Sequence, residues 1–304
     1  MRIKNVSFIG SKQIGYECLE KIYMLDKESL GSVITIDDGG DRRSYFNDIK
    51  QFCKKLSIPC FVAENRDHFK GLIKELKPEL GFVVGWYWLI DKETIDNVPN
   101  GFIGIHNSLL PKYRGGAPLV WSIINGDQQT GFSFFSITEG MDDGDIWFQN
   151  FVDIRPNDYI SDVLRRIGHL TLMSLDNIYH KILSREFFPR LQTGYGISYC
   201  GQRMLEDGKI DWNKSSEEIY NFIRAQSTPY PGAFSMLHGD KLFILRATPL
   251  DILYNGTPGQ VLKITNSEVL VICGDNKAIN IQQVRYNEVT TEAREVIKSI
   301  KIRF

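Results

Sequence analysis

Short apolar runs alternate with amphipathic stretches along the first third of the chain. The runs read VSFIG, SVITI, CFVA, LGFVVG and FIGIH. Between them, the segments 43–56 and 67–76 show the helical spacing of apolar positions. This alternation predicts an α/β domain in which crossover helices join the strands of a parallel sheet. Ligands of such sheets bind beyond the carboxyl ends of the strands.

The pattern changes twice further along the chain. Two apolar runs, GFSFFSIT and IWFQNFV, predict a strand pair, and a helical pattern then extends from Tyr159 to Leu183. Residues 188–209 are rich in glycine and polar side chains, and we interpret them as a connector. The chain is therefore predicted to have a first domain at 1–187 and a second domain at 210–304.

The predicted second domain begins with a capped helix, SSEEIYNFIRAQ. Apolar runs separated by turn residues follow at 242–247, 260–265, 268–273 and 278–285. These features predict a small β-rich barrel or sandwich.

Composition narrows the class of protein. The 304 residues include 42% hydrophobic side chains, enough to bury a sizeable core, and the formal net charge is −1. A near-neutral chain has no overall field that attracts nucleic acid or an anionic membrane, so neither partner is expected. The five cysteines contain no CxxC pair, which argues against a disulfide framework and a structural zinc site. With no leader-like or membrane-spanning apolar stretch, we expect a cytoplasmic protein.

The stretch GFIGIHNSLLPKYRGGAP places a histidine at a strand end. An apolar run leads to His106, and a loop with polar residues and two glycines follows, where backbone amides are free to face a ligand. This position favours a functional role for His106 over a packing role.

A second candidate lies in EGMDDGDIW, where Asp142, Asp143 and Asp145 stand between glycines. Taken alone, this segment is open to three interpretations: a solvated acidic turn, a metal loop or a catalytic carboxylate. The helix-like APLVWSIING and the strand-like GFSFFSIT, which separate it from His106, suffice to return the chain to the same sheet edge. Asp142 could then face the imidazole.

These motifs resemble those of the folate-dependent formyltransferases. HNSLLPKYRG and DDGDI, at this mutual spacing, are similar to the family's HxSLLPxxRG and DxGDI elements. LEDGKIDWNKSSEEIYNFIRAQSTPYPGAF is similar to the start of the C-terminal domain of the methionyl-tRNA and sugar-nucleotide enzymes. The resemblance implies a Rossmann-like catalytic domain, an OB-like C-terminal domain, 10-formyltetrahydrofolate as the formyl donor, and no metal.

The resemblance also implies catalytic residues. His106 and Asp142 match the family's histidine and aspartate, whereas the family's asparagine is replaced by Gly104. Asn107 is the nearest candidate to donate a hydrogen bond to the formyl oxygen in its place. The alternative is that Asn107 bonds only to its own loop backbone, as turn asparagines often do.

A folate slot is implied around VVGWYWLI and the acidic loop. The implied cofactor-binding residues are Trp86, Trp88, Leu89, Gly140 and Met141. The tryptophans could equally be core aromatics.

For the acceptor amine we favour a nucleotide-linked amino sugar, as used in lipopolysaccharide or glycan biosynthesis. A transfer RNA is bound through many phosphate contacts by Lys and Arg, but this chain is near neutral and has only DDGGDRRS where a long basic loop would be expected after the second strand. A diphosphate needs only one or two cations. Lys12 and Arg114 are the candidates. The alternatives are a methionyl-tRNA formyltransferase and a catalytically lapsed binding module. Because family members often pair, a homodimer is expected.

Overall fold

The computed structural model describes residues 1–304 and contains fifteen strands. The strands are β1 (Val6–Gly10), β2 (Leu30–Thr35), β3 (Cys60–Val62), β4 (Leu80–Val84), β5 (Phe102–His106), β6 (Arg114–Gly115), β7 (Gln129–Ser136), β8 (Ile146–Asp153), β9 (Tyr199–Cys200), β10 (Ala233–Leu237), β11 (Asp240–Leu250), β12 (Val261–Ile264), β13 (Val269–Ile272), β14 (Ala278–Tyr286) and β15 (Val289–Glu292).

Seven strands form the first sheet in the order β3-β2-β1-β4-β5-β7-β8. The five strands from β3 to β5 are parallel, and β7 runs antiparallel to β5. Every residue of β1 and β4 is buried, as expected for central strands whose two faces are covered by helices. The predicted α/β class is therefore confirmed, and the carboxyl ends of β4 and β5 lie side by side.

Eight helices accompany these strands. They are α1 (Lys12–Asp26), α2 (Phe46–Leu56), α3 (Arg66–Leu76), α4 (Lys92–Asp96), α5 (Pro118–Ile124), α6 (Ile160–Leu183), α7 (Ser216–Gln226) and α8 (Ala293–Val296). Side-chain hydrogen bonds cap the N-termini of two helices. Asn65 caps α3, and Ser215 and Glu218 form a reciprocal capping box at α7. None of the helices combines the length and apolarity needed to cross a membrane.

The second sheet is antiparallel and has the order β10-β11-β14-β13-β12, with β15 paired to β14. Its buried face and α7 share one apolar core, in which Ile223, Leu242, Val271 and Val284 are almost fully buried. The predicted β-rich second domain is confirmed, although β10 and β15 were not predicted.

The chain divides into two compact units, and each unit consists of three separate segments of the chain. The first contains Met1–Gly115, Gly131–Val152 and Arg165–Tyr199; the second contains Gly116–Thr130, Asp153–Leu164 and Cys200–Phe304. The sequence-based boundaries at 187 and 210 stay a prediction.

Candidate active site

His106 is the last residue of β5 and is buried opposite Ser133 of β7. Its Nε2 lies 2.7 Å from the backbone oxygen of Tyr113. Because a carbonyl oxygen can only accept, Nε2 carries a proton and donates it. Nδ1 is then the ring nitrogen that remains for other partners.

Asp142 supplies that partner from the loop between β7 and β8. Its Oδ2 lies 3.5 Å from Nδ1 of His106 and accepts a hydrogen bond of 2.7 Å from the backbone N–H of Gly115. The Asp142 backbone has a φ of 51°, in the left-handed region that non-glycine residues seldom adopt. The structure thus brings together the histidine and the first aspartate of the two motifs.

The other aspartates of this loop have structural contacts. The Asp143 carboxylate accepts a hydrogen bond from the Thr138 hydroxyl, and the Asp145 backbone oxygen accepts one from the Ser136 N–H. Between them, Gly144 passes so close to the Ser136 backbone oxygen that a Cβ would lie 1.8 Å from it. Only glycine fits this crossing.

A buried hydroxyl holds the loop that follows His106. Ser133 Oγ donates to the Ser108 carbonyl at 2.7 Å and accepts from the Leu110 N–H at 3.1 Å. Gln149 Nε2 donates both to Ser133 Oγ and to the Leu110 carbonyl, each at 2.8 Å. Sequence reasoning missed Ser133 and Gln149, because their partners are distant in the chain and follow no local motif.

Arg114 is buried rather than presented to solvent. Its guanidinium donates to Gln192 Oε1 through Nε at 3.2 Å and through one terminal nitrogen at 2.7 Å. The other terminal nitrogen donates to the Tyr199 hydroxyl at 3.1 Å. The predicted diphosphate ligand is therefore already engaged in internal hydrogen bonds.

A cavity of about 260 Å³ opens beside His106 and Asp142. Aromatic and aliphatic side chains form much of its wall, and four glycines also line it. Besides His106 and Asp142, the wall contains Val83, Gly85, Trp86, Tyr87, Trp88, Leu89, Ile90, Gly104, Ile105, Gly115, Phe135, Ile137, Thr138 and Gly140. Four of the residues predicted to bind folate are in this wall, namely Trp86, Trp88, Leu89 and Gly140. Lys12, Asn107, Arg114 and Met141 are not.

The two tryptophans in this wall also touch the core of the first unit. The Trp86 ring lies 5.1 Å from the Phe69 ring and 5.2 Å from the Trp88 ring, centroid to centroid. Trp86 Nε1 is buried and has no hydrogen-bond partner. A buried donor without a partner costs about 1–3 kcal/mol, so a ligand acceptor that reached it would recover that energy.

The position of the missing family asparagine is closely surrounded. A Cβ added to Gly104 would lie 3.0 Å from a Phe135 ring carbon and 3.2 Å from two Ile137 side-chain carbons. Two apolar side chains therefore already take the space next to Gly104.

Lys12 lies in an acidic cluster on the same sheet edge. Its Nζ is 3.1 Å from Asp38 Oδ2, 2.6 Å from Asp41 Oδ2 and 4.2 Å from the centre of the Tyr87 ring. Hydrogen bonds from Arg43, and a further one from Lys12, hold the pKa of Asp41 below its ordinary value despite partial burial. Two carboxylates thus neutralise the lysine that the sequence assigned to the diphosphate.

The surroundings of Asp142 bear on the three interpretations of the acidic loop, namely a solvated turn, a metal loop and a catalytic carboxylate. No three His, Cys, Asp or Glu side chains in residues 1–304 lie in an arrangement that could hold a metal ion. Asp142, by contrast, faces both an imidazole and a cavity.

Two family models match the chain. Residues 39–175 match "Formyl transferase" and residues 204–301 match "Formyl transferase, C-terminal domain". Among curated proteins, the bifunctional polymyxin resistance protein ArnA of Wigglesworthia glossinidia brevipalpis is 32% identical over 291 residues. That alignment covers 95% of this chain but 44% of the relative, so the chain spans less than half of that bifunctional protein.

Solved structures show the same fold at low identity. WlaRD, a sugar 3N-formyl transferase determined in the presence of dTDP and 5-N-formyl-THF, superposes with a TM-score of 0.70 at 20% identity, covering 93% of this chain and 98% of its own. The N-formyltransferase of Helicobacter canadensis, in complex with folinic acid and dTDP-3-aminofucose, also has a TM-score of 0.70 at 20% identity. It covers 92% of this chain and 99% of its own.

Proposed function

This chain belongs to the formyl transferase family, and we propose that it transfers the formyl group of 10-formyltetrahydrofolate to the amine of a nucleotide-linked amino sugar. One observation carries the proposal: His106 Nδ1 and Asp142 Oδ2 lie 3.5 Å apart at the edge of a cavity with aromatic walls. Formyl transfer to an amine needs a proton acceptor and a group that stabilises negative charge, and this pair offers both.

The hydrogen bond to Tyr113 determines how the pair would work. Nε2 is committed to that carbonyl, so the ring meets the reacting groups through Nδ1. A protonated ring donates from Nδ1 to the oxyanion that develops on the formyl oxygen. The Asp142 carboxylate receives the proton that the attacking amine loses. That proton then passes, directly or through a water, to the departing nitrogen as its bond to the formyl carbon breaks.

The cavity wall fits the folate that the family uses. A pterin is flat and apolar on its faces and carries donors and acceptors along its edge, so it needs apolar walls with fixed polar groups. Trp86, Trp88 and Ile137 provide apolar surface, and Gly85 and Gly140 bring backbone close to the cavity. The buried Nε1 of Trp86 is a donor without a partner. When bound, the folate supplies the formyl carbon.

Charge and relatives support a sugar nucleotide as the acceptor. A chain with a net charge of −1 is poorly suited to the phosphate contacts that hold a transfer RNA. The structural neighbour WlaRD is a sugar 3N-formyl transferase whose structure was determined with dTDP, and the structure of the Helicobacter canadensis N-formyltransferase contains dTDP-3-aminofucose. Arg114 and Lys12 remain our candidates for the diphosphate, although each would have to exchange an internal partner for it.

Incubation of the protein with 10-formyltetrahydrofolate tests the proposal. A panel of dTDP-, UDP- and GDP-linked amino sugars and charged initiator tRNA serve as acceptors, and mass spectrometry detects a formyl group on the product. We expect turnover with at least one amino-sugar nucleotide and none with the tRNA. Efficient formylation of the tRNA at physiological salt would overturn the choice of acceptor. Folate binding without turnover on any acceptor would indicate a binding module.

A further inference from the structure

Gln192 lies in the segment that the sequence analysis interpreted as a connector, yet its side chain points to the candidate site. Its Nε2 donates to two backbone oxygens of the acidic loop, that of Asp142 at 2.9 Å and that of Gly144 at 2.7 Å. Its Oε1 accepts two hydrogen bonds from Arg114, as described above. A primary amide has two N–H donors and two acceptor lone pairs, so Gln192 uses its whole capacity.

Both loops that Gln192 joins carry parts of the site. Asp142 holds the carboxylate, and Arg114 precedes Gly115, whose N–H binds that carboxylate. The left-handed backbone of Asp142 costs about 1 kcal/mol or more and persists only where its surroundings enforce it. The hydrogen bond from Gln192 to the Asp142 carbonyl is such a constraint.

Hydrogen bonds on both sides of Gln192 in the chain hold the segment that contains it. On one side, Arg190 and Ile146 exchange backbone hydrogen bonds of 2.7 and 2.9 Å. On the other side, the Ser198 carbonyl accepts from the Arg114 N–H at 2.9 Å, and the Ser198 hydroxyl accepts from the Tyr113 N–H at 2.9 Å. The segment is thus held where the amide bridges the two loops.

We propose that Gln192 is a positioning residue that holds the Asp142 carboxylate against His106. The inference rests on the proposed formyl transfer, since it assigns Gln192 a part in that reaction. Loss of its donors lets the acidic loop leave its left-handed conformation, and the distance from Asp142 to Nδ1 increases. Displacement of a catalytic group by about 1 Å can lower a rate by about a hundredfold.

Two substitutions of Gln192 separate the roles of its amide. Gln192→Met keeps the length and removes every hydrogen bond, whereas Gln192→Glu keeps the acceptor for Arg114 and removes both donors. We expect both to lower kcat about ten- to a hundredfold. Gln192→Glu, which keeps the acceptor for Arg114, should change KM for the sugar nucleotide less than about threefold. Thr193→Ala, an exposed neighbour, is the matched control and should keep wild-type kinetics. In an Asp142→Ala background, Gln192→Met should lower kcat hardly any further.

A second readout needs no activity. The exchange rate of the Gly115 amide proton reports the position of the Asp142 carboxylate, because the two are hydrogen-bonded. Asp142→Asn weakens the acceptor and gives the reference exchange rate for a weakened hydrogen bond. In Gln192→Met and Gln192→Glu this amide should exchange about tenfold faster or more, while central amides of β1 and β4 stay protected. A wild-type kcat, or an unchanged Gly115 amide, in both variants would overturn the inference. If the wild-type protein transfers no formyl group, the proposed function fails. The exchange rate of the Gly115 amide proton then decides by itself whether Gln192 positions Asp142.

Discussion

The carboxylate of Asp142 faces the one nitrogen of the His106 ring that is not bound to the protein backbone. Nε2 donates to the Tyr113 carbonyl, and Nδ1 lies 3.5 Å from Asp142 Oδ2. Asp142 and the ring nitrogen that would meet the reacting groups thus lie side by side at the cavity.

The first prediction concerns this pair. His106→Ala and Asp142→Ala should each lower kcat about a hundredfold or more, the scale of losing an acid–base or oxyanion group. Because the residues act as one unit, the double variant should be scarcely slower than the slower single variant. His169→Ala, an exposed histidine of α6, is the control. Additive losses would show that the two side chains act separately.

The second prediction tests the substitute for the family asparagine. If Asn107 donates to the formyl oxygen, Asn107→Ala should lower kcat about ten- to a thousandfold, with an unchanged unfolding transition. The side chain lies outside the cavity wall and would have to turn towards the substrate. A kcat within about twofold of wild type would place the donor on His106, a backbone amide or a water.

Rescue of that variant by Gly104→Asn depends on Ile137. The new Cβ would lie 3.0 Å from a Phe135 ring carbon and 3.2 Å from two Ile137 carbons, so one of these side chains must shift before the Gly104→Asn side chain fits. Ile137→Ala makes room for the longer side chain. Partial recovery of kcat in Asn107→Ala should therefore be larger when Gly104→Asn and Ile137→Ala are combined.

The third prediction concerns Trp86, for which Trp86→Phe retains an aromatic ring and removes the N–H. Since Nε1 has no partner, the free energy of unfolding should stay equal or rise by about 1 kcal/mol. If the N–H binds folate, folate affinity should fall about three- to tenfold, as measured by calorimetry. Unchanged affinity would make Trp86 a core aromatic only.

The fourth prediction concerns stability at low pH. Arg43 and Lys12 hold the pKa of Asp41 below its ordinary value of 3.8, so this carboxylate stabilises the folded state above that pH and loses its contribution as the pH falls further. Asp41→Asn should be less stable than wild type at pH 7 and should lose less stability between pH 5 and pH 3, measured by urea unfolding. Glu28→Gln, which removes an exposed carboxylate, should leave the wild-type profile unchanged.

Long periodic segments were predictable because their signal is local. The run FIGIH gave the bounds of β5, and the predicted helix at 159–183 differs from α6 by one residue. Gln192 and Ser133 were not predictable, because each acts through partners that are far away in the chain. The same holds for Lys12, whose apparent availability as a cation disappears once Asp38 and Asp41 fold against it.

The interleaved path of the chain limits how this protein could be divided or recombined. A chain ended after residue 187 would retain α5 while losing α7, although these helices pack together within the second unit. It would also separate the Tyr159 hydroxyl from the Ala247 backbone that it bonds at 3.0 Å. Gene fusions that join such chains to other enzymes should therefore preserve the full span from β1 to α8. A fragment cut at the connector should aggregate through the apolar residues that it exposes.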